Sequence, residues 1–163
     1  MIMEMAFEKV KLFRKQMEIF LPEGFKDMPD YIAKKKYPSK HRPPVILMNE
    51  DNCVNFTFHL MDVALAENQL EKAADGFAKS MKQVYTNAKF QELQYGKRND
   101  GSKMAWLSYE SMAIDADMFN IMFITSLDGK MLYGSFNCIL EMQKDWEEIA
   151  LYCIRSIKQT EEE

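Results

Sequence analysis

Two short runs constrain the fold most: Met104-Ala105-Trp106-Leu107 and Ile121-Met122-Phe123-Ile124. Each is apolar at consecutive positions and ends in polar residues. Side chains of a strand alternate between the faces of its sheet, so runs like these are buried on both faces. A sheet holding two of them needs cover on each side.

Turn chemistry says how the strands connect. Asn99-Asp100-Gly101 and Asp128-Gly129 are tight-hairpin signals. They link predicted strands at 91–97, 103–114, 119–127 and 130–140, so the sheet is antiparallel. Residues 53–60 alternate strictly, with Val54, Phe56, Phe58 and Leu60 on one face and Cys53, Asn55, Thr57 and His59 on the other. A strand at 45–48 precedes them across Asn49-Glu50-Asp51-Asn52, and a weaker first strand at 17–20 ends at Pro22-Glu23-Gly24.

Helices supply the cover. Between 68 and 89, Leu70, Ala73, Ala74, Phe77, Met81, Val84, Tyr85 and Ala88 recur at the helical period. Asn68, with Glu71 three residues on, predicts a capping box. A second stripe, Trp146, Ile149, Ala150, Cys153 and Ile157, predicts a helix over 142–158. A short helical turn is expected between Pro29 and Pro38. The class is therefore α+β, an antiparallel β-sheet flanked by helices. At 163 residues the chain forms a single domain, 1–163, with its core over about 16–158.

The formal net charge of −4 argues against general nucleic-acid or acidic-lipid binding, which needs a broad positive field. No window approaches the roughly 18 apolar residues of a membrane span. Glu4 and Glu8 interrupt the N-terminus before a signal-peptide core forms. Cys53, Cys138 and Cys153 are odd in number, widely spaced and set in apolar runs, which predicts reduced buried thiols and a cytoplasmic location. Phosphate-loop, dinucleotide, zinc-hydrolase and calcium-loop motifs are absent, and no catalytic residue, metal or cofactor is assigned.

The order of these elements, with Leu21-Pro22-Glu23-Gly24-Phe25 after the first strand and Trp146 on the closing helix, resembles the PsbP-like superfamily. Lys36-Tyr37-Pro38 through Arg42-Pro43 is similar to small bacterial members. The resemblance implies an α-β-α sandwich and roles in binding and assembly. It carries over no catalytic residue. For some bacterial relatives it implies chaperones that hold apolar segments of toxins before export. Toxin immunity is a neighbouring role.

Two sets of residues are candidate sites. The first is a basic cluster, Lys34, Lys35, Lys36, Lys40, His41 and Arg42, interleaved with Tyr31 and Tyr37 and opposite in sign to the whole chain. Pro38, Pro43 and Pro44 stiffen it, which lowers the entropy cost of presenting it. The second is the polar side of the alternating strand, where Asn55 and His59 project. Partner-binding residues are thus Lys35, Lys36, Tyr37, His41, Arg42, Asn55 and His59, with another protein as partner. Asp115-Ala116-Asp117 reads as a turn. The many methionines, 14 in all, read as core, with a Met-lined groove as the minority reading. The functional expectation is a non-enzymatic, cytoplasmic protein-binding or adaptor domain. The alternative is a small-molecule or lipid-binding domain, or an enzyme with a pocket near His59. An enclosed pocket with converging polar groups favours the alternative. A broad, shallow apolar patch favours the protein partner.

Overall fold

The two-faced runs sit inside the largest sheet. The computed structural model describes residues 5–51, 53–112 and 115–160. In chain order the elements are β1 (Phe7–Leu12), β2 (Met17–Pro22), β3 (Lys26–Asp27), α1 (Asp30–Lys36), β4 (Val45–Met48), β5 (Val54–Ala64) and α2 (Leu70–Val84). They continue with β6 (Lys89–Phe90), β7 (Gln94–Lys97), β8 (Lys103–Met112), β9 (Asp117–Leu127), β10 (Lys130–Ile139), α3 (Gln143–Arg155) and β11 (Lys158–Gln159). The large antiparallel sheet runs β3-β4-β5-β10-β9-β8-β6, with β7 also paired to β8.

Each face of this sheet has its own cover. Phe56, Phe58, Phe123, Leu132 and Phe136 project to the first face and are fully buried. They pack with Ile149, Ala150, Cys153 and Ile154 of α3 and with Met17, Ile19 and Leu21 of β2. On the second face, Leu70 and Ala74 of α2 pack on Ala105 and Ile124. Ala33 of α1 packs on Ile46 and Met48. Consecutive residues such as Ile124 and Thr125 are therefore both buried. The α+β class and the helix-sheet-helix layering follow from the two-faced strands.

Gly134 is where β10 needs glycine. A Cβ there would run into the Thr57 carbonyl oxygen of β5 and the Phe123 ring of β9. The Asp128-Gly129 turn takes positive φ at both residues, 52° and 73°, as a tight hairpin requires.

Several boundaries differ from the sequence expectation. A second sheet, β1-β2-β11, joins the N-terminal hairpin to the tail. The β1–β2 turn uses Phe13, Arg14 and Lys15, all at positive φ. None is Gly, Asn or Asp, so no turn signal marks the hairpin. Lys158 reaches the buried carboxylate of Glu18 at 3.5 Å, beside Lys9 at 3.8 Å, which ties β11 to β2. The second long helix accordingly stops at Arg155.

Asn68 does not cap α2. It lies in a 3-10 turn over Glu67–Gln69, and Gln69 Oε1 folds back to accept the Ala66 N–H at 2.8 Å. The helix ends at Val84 because Lys89 and Phe90 leave it to pair with β8. The strand expected at 91–97 begins only at Gln94. The basic run is not all loop either. Lys34, Lys35 and Lys36 form the last turn of α1, where positive charge offsets the negative end of the helix dipole.

Candidate functional site

The second face of the sheet carries a polar belt between its two helices. On β5 the alternation that buries Phe56 and Phe58 turns Asn55, Thr57 and His59 the other way. Register places Asn137, Ser135 and Tyr133 of β10 beside them. Asn120, Met122 and Ile124 of β9 come next, then Tyr109, Leu107 and Ala105 of β8. Three rungs result: Asn55–Asn137–Asn120–Tyr109, Thr57–Ser135–Met122–Leu107, and His59–Tyr133–Ile124–Ala105.

Hydrogen bonds link neighbours within the rungs and join the first rung to α1. Asn55 Nδ2 donates to Asn137 Oδ1 at 3.0 Å. Asn137 Nδ2 donates to the Tyr37 hydroxyl at 3.0 Å, which anchors the C-terminal end of α1 to the sheet. Thr57 and Ser135 share a 2.7 Å hydroxyl contact. Asn120 Nδ2 donates to Ser111 Oγ at 2.9 Å. Burial raises the pKa of Tyr37, partly offset by the bond from Asn137. Burial also raises that of Tyr109, helped by nearby Tyr85 and Tyr37. Both hydroxyls stay protonated at neutral pH.

Within the belt one atom stands apart, as Thr160 Oγ1 does elsewhere in the fold. Asn55 is 2% exposed, and its Oδ1 has no hydrogen-bond partner. A buried acceptor left unpaired costs about 1–3 kcal/mol. A cleft of about 660 Å³ lies over this end of the belt, between the last turn of α1 and the far end of the β8–β9 hairpin. Asn55, Asn120 and Asn137 line it, Met118 and Ile139 add an apolar step, and Lys35, Lys36, Tyr37, Cys53, Asp115 and Ala116 stand around them. Met112, also on the lining, is 76% exposed. Burial lowers the pKa of Lys36, and the neighbouring Cys53 works against the shift.

The structure brings four of the sequence candidates together and sets three apart. Lys35, Lys36, Tyr37 and Asn55 share the cleft. His41 is exposed, and its backbone N–H bonds Ser39 Oγ at 3.0 Å. Arg42 turns its Nε to the Tyr37 carbonyl at 3.0 Å and lines a different hollow with Asp27 and Asp30. His59 lies on the third rung, with Nδ1 3.1 Å from the Tyr133 hydroxyl, which itself packs against Phe77 of α2. Asn55, not His59, lines this cleft. Asn120, Asn137 and Ile139 were absent from the sequence candidates, and Met118 entered only through the minority reading of a Met-lined groove; their meeting with Asn55 depends on register.

Among the described residues no group of three or more His, Cys, Asp or Glu is placed to hold a metal ion. No helix among them is long and apolar enough to cross a membrane. Cys138 and Cys153 are fully buried, and burial pushes both thiols up to about 12. Neither supplies a thiolate nucleophile at neutral pH.

No protein-family model matches the chain, and no curated protein does. Solved structures do. The solution structure of cyanobacterial PsbP from Synechocystis aligns with a TM-score of 0.68 at 10% identity, over 94% of this chain and 92% of that one. The chain has a PsbP-like fold. LpqN of Mycobacterium tuberculosis, described as involved in cell envelope biogenesis, aligns with a TM-score of 0.58 at 10% identity, over 96% and 91% of the two chains. In this PsbP-like fold the first face is filled by α3 and the β1–β2 hairpin. The second face, left part-covered between α1 and α2, carries the asparagine rung.

Proposed function

We propose that the protein is a non-enzymatic binding domain that engages another protein through the cleft between α1 and the β8–β9 hairpin. The observation that carries this is the cleft itself, with the rung Asn55–Asn137–Asn120 on its lining. Amides in a row offer hydrogen bonds without a nucleophile or a base. Exposed Met112 and partly covered Met118 add soft, adaptable apolar surface, the kind used to accept a partner's side chains. The lysines of α1 sit on the rim, where charge steers association. The unpaired Cys53, Cys138 and Cys153 fit the cytoplasm as its place of action.

A second reading, a small-molecule site, is favoured by the volume. About 660 Å³ falls in the range of ligand pockets. Native mass spectrometry of the protein isolated gently from its own cells separates the two. A bound protein of several kilodaltons or more supports the partner reading. An adduct of a few hundred daltons supports the ligand reading instead.

A further inference from the structure

We infer that a second cleft, on the first face of the sheet, binds a small organic cation that also carries an oxygen acceptor: a protonated amine or guanidinium close to a hydroxyl or carbonyl oxygen. This site is separate from the cleft between α1 and the β8–β9 hairpin and independent of the partner reading.

The strand pattern builds the cleft. Trp106 of β8 joins the core of the first face, and alternation turns Ser108 and Glu110 to the same side. Register sets Phe119 of β9 beside Glu110. Gln143 and Glu147 of α3 border the space on one side, and the segment from Gln91 to Gln94, between β6 and β7, borders it on the other. The space holds about 500 Å³, within the range of small-ligand pockets.

The lining selects a cation. Glu92, Glu110 and Glu147 line the cleft, and no basic side chain does. Glu110 and Glu147 are part-buried. Two cations stand nearby. Lys89 lies opposite Glu110 across the β6–β8 pair, and the Arg155 guanidinium lies over the Trp106 ring, 5.4 Å from its centre. Among the described residues neither forms an ion pair with the three carboxylates. Like charges in a part-covered cleft focus a field that draws in the opposite charge. Among the described residues no group of acidic side chains is placed to hold a metal ion, so the charge is spread along the cleft and suits a larger, organic cation.

The Trp106 indole selects the acceptor. The side chain is 9% exposed, and its N–H makes no hydrogen bond among the described residues. The unpartnered side-chain atoms among them that are shut off from solvent are Asn55 Oδ1 and Thr160 Oγ1. The indole nitrogen is therefore still open. The Cζ3–Cη2 edge of the ring abuts Gly96 and Arg155 covers the ring, which leaves the nitrogen edge for the cleft that Trp106 lines. A buried tryptophan N–H ordinarily finds a partner. A bare ammonium leaves this donor unused, whereas an amino alcohol or an acylated amine satisfies it. Gln143 Nε2 donates to Glu147 Oε1 at 3.0 Å and holds that carboxylate in place.

The test compares three ligands of one shape: trans-4-aminocyclohexanol, cyclohexylamine and trans-1,4-cyclohexanediol. The first carries both the cation and the oxygen, the second the cation alone, the third oxygens alone. Each is titrated near neutral pH, in amine-free phosphate buffer, into the full-length 15N-labelled protein. The Trp106 indole N–H and the backbone amides of Ser108 and Glu110 are followed by NMR. Aminocyclohexanol is expected to shift all three in a saturable way. The other two should bind at least about fivefold more weakly, the scale of one lost hydrogen bond. Glu110→Gln with Glu147→Gln removes charge at constant shape and should weaken both amines about tenfold while leaving the diol unchanged. Trp106→Phe keeps a ring and removes the N–H, and should bring aminocyclohexanol down to the level of cyclohexylamine, read at Ser108 and Glu110. If that variant loses its folded spectrum, the glutamine pair decides. Equal affinity for the three ligands, an amine response untouched by the glutamines, or no saturable shift with aminocyclohexanol overturns the inference.

Discussion

The Asn55 side chain donates to Asn137 Oδ1 at 3.0 Å across neighbouring strands, while its own oxygen keeps no partner. A fold optimised for stability alone would place two apolar side chains at these paired positions. Replacing both partners of a buried polar pair by apolar groups of similar shape is close to neutral. The Asn55→Leu, Asn137→Leu, Tyr37→Phe triple variant, which also removes the hydroxyl that Asn137 bonds, is expected to unfold in urea within about 1 kcal/mol of the parent. Its partner binding should fall by an order of magnitude or more. A loss of about 3 kcal/mol or more would show that the pair serves the fold instead.

Burial of Cys138 and Cys153 gives a pH signature. Their folded-state pKa values lie near 12, above the ordinary thiol value of 9.0. Below about pH 9 both states hold the protons and stability is unaffected by these groups. Above it the unfolded chain loses protons that the folded one keeps, so stability falls between about pH 9 and 12. The slope is about 1.4 kcal/mol per pH unit for each thiol. Denaturant titrations across this range, with the Cys138→Val, Cys153→Ala variant as comparison, check it. The variant should show a flatter decline.

Gly134→Ala tests the close approach of β10 to β5. The added Cβ meets backbone at Thr57 and the buried Phe123 ring, and neither can withdraw. A loss of about 3 kcal/mol or more is expected, beyond ordinary overpacking. A melting temperature unchanged from the parent would mean that the strands separate there.

How much of this was legible in the sequence depended on the range of the interaction. Met104–Leu107 and Ile121–Ile124 announced a two-faced central sheet, and Asp128-Gly129 announced its hairpin, because alternation and turn chemistry are local. Val54 to Leu60 even showed which side chains face the belt. The β1–β2 hairpin was hidden because Phe13, Arg14 and Lys15 carry no turn preference. The strand at Lys158–Gln159 was hidden because its cause, the buried Glu18, is far away in sequence. At the site, Lys35, Lys36, Tyr37 and Asn55 were within reach of composition and alternation. Asn120 and Asn137 were not, since only register sets them beside Asn55.

Trp146 shows the same distinction in energy. Its place on the α3 stripe was readable, but its degree of burial was not. The ring lies 6.1 Å from Phe136 and 6.1 Å from Phe25, centroid to centroid, and remains partly exposed. Trp146→Ala is expected to cost about 2–3 kcal/mol by thermal or urea unfolding, less than the roughly 3–5 kcal/mol of a fully buried ring.

Site-directed photo-crosslinking tests the central claim most directly. A p-benzoylphenylalanine placed at Met112 sits on the cleft lining, at a position already 76% exposed. The same group at Tyr152, 43% exposed on α3, samples the opposite side of the sheet. In irradiated native cells the Met112 position should join to one defined protein, and the Tyr152 position should not. Adding Lys35→Glu and Lys36→Glu should weaken the Met112 product several-fold, since the rim charges steer the partner. A product from Tyr152 with none from Met112, or one insensitive to the lysines at both positions, would contradict partner binding in this cleft.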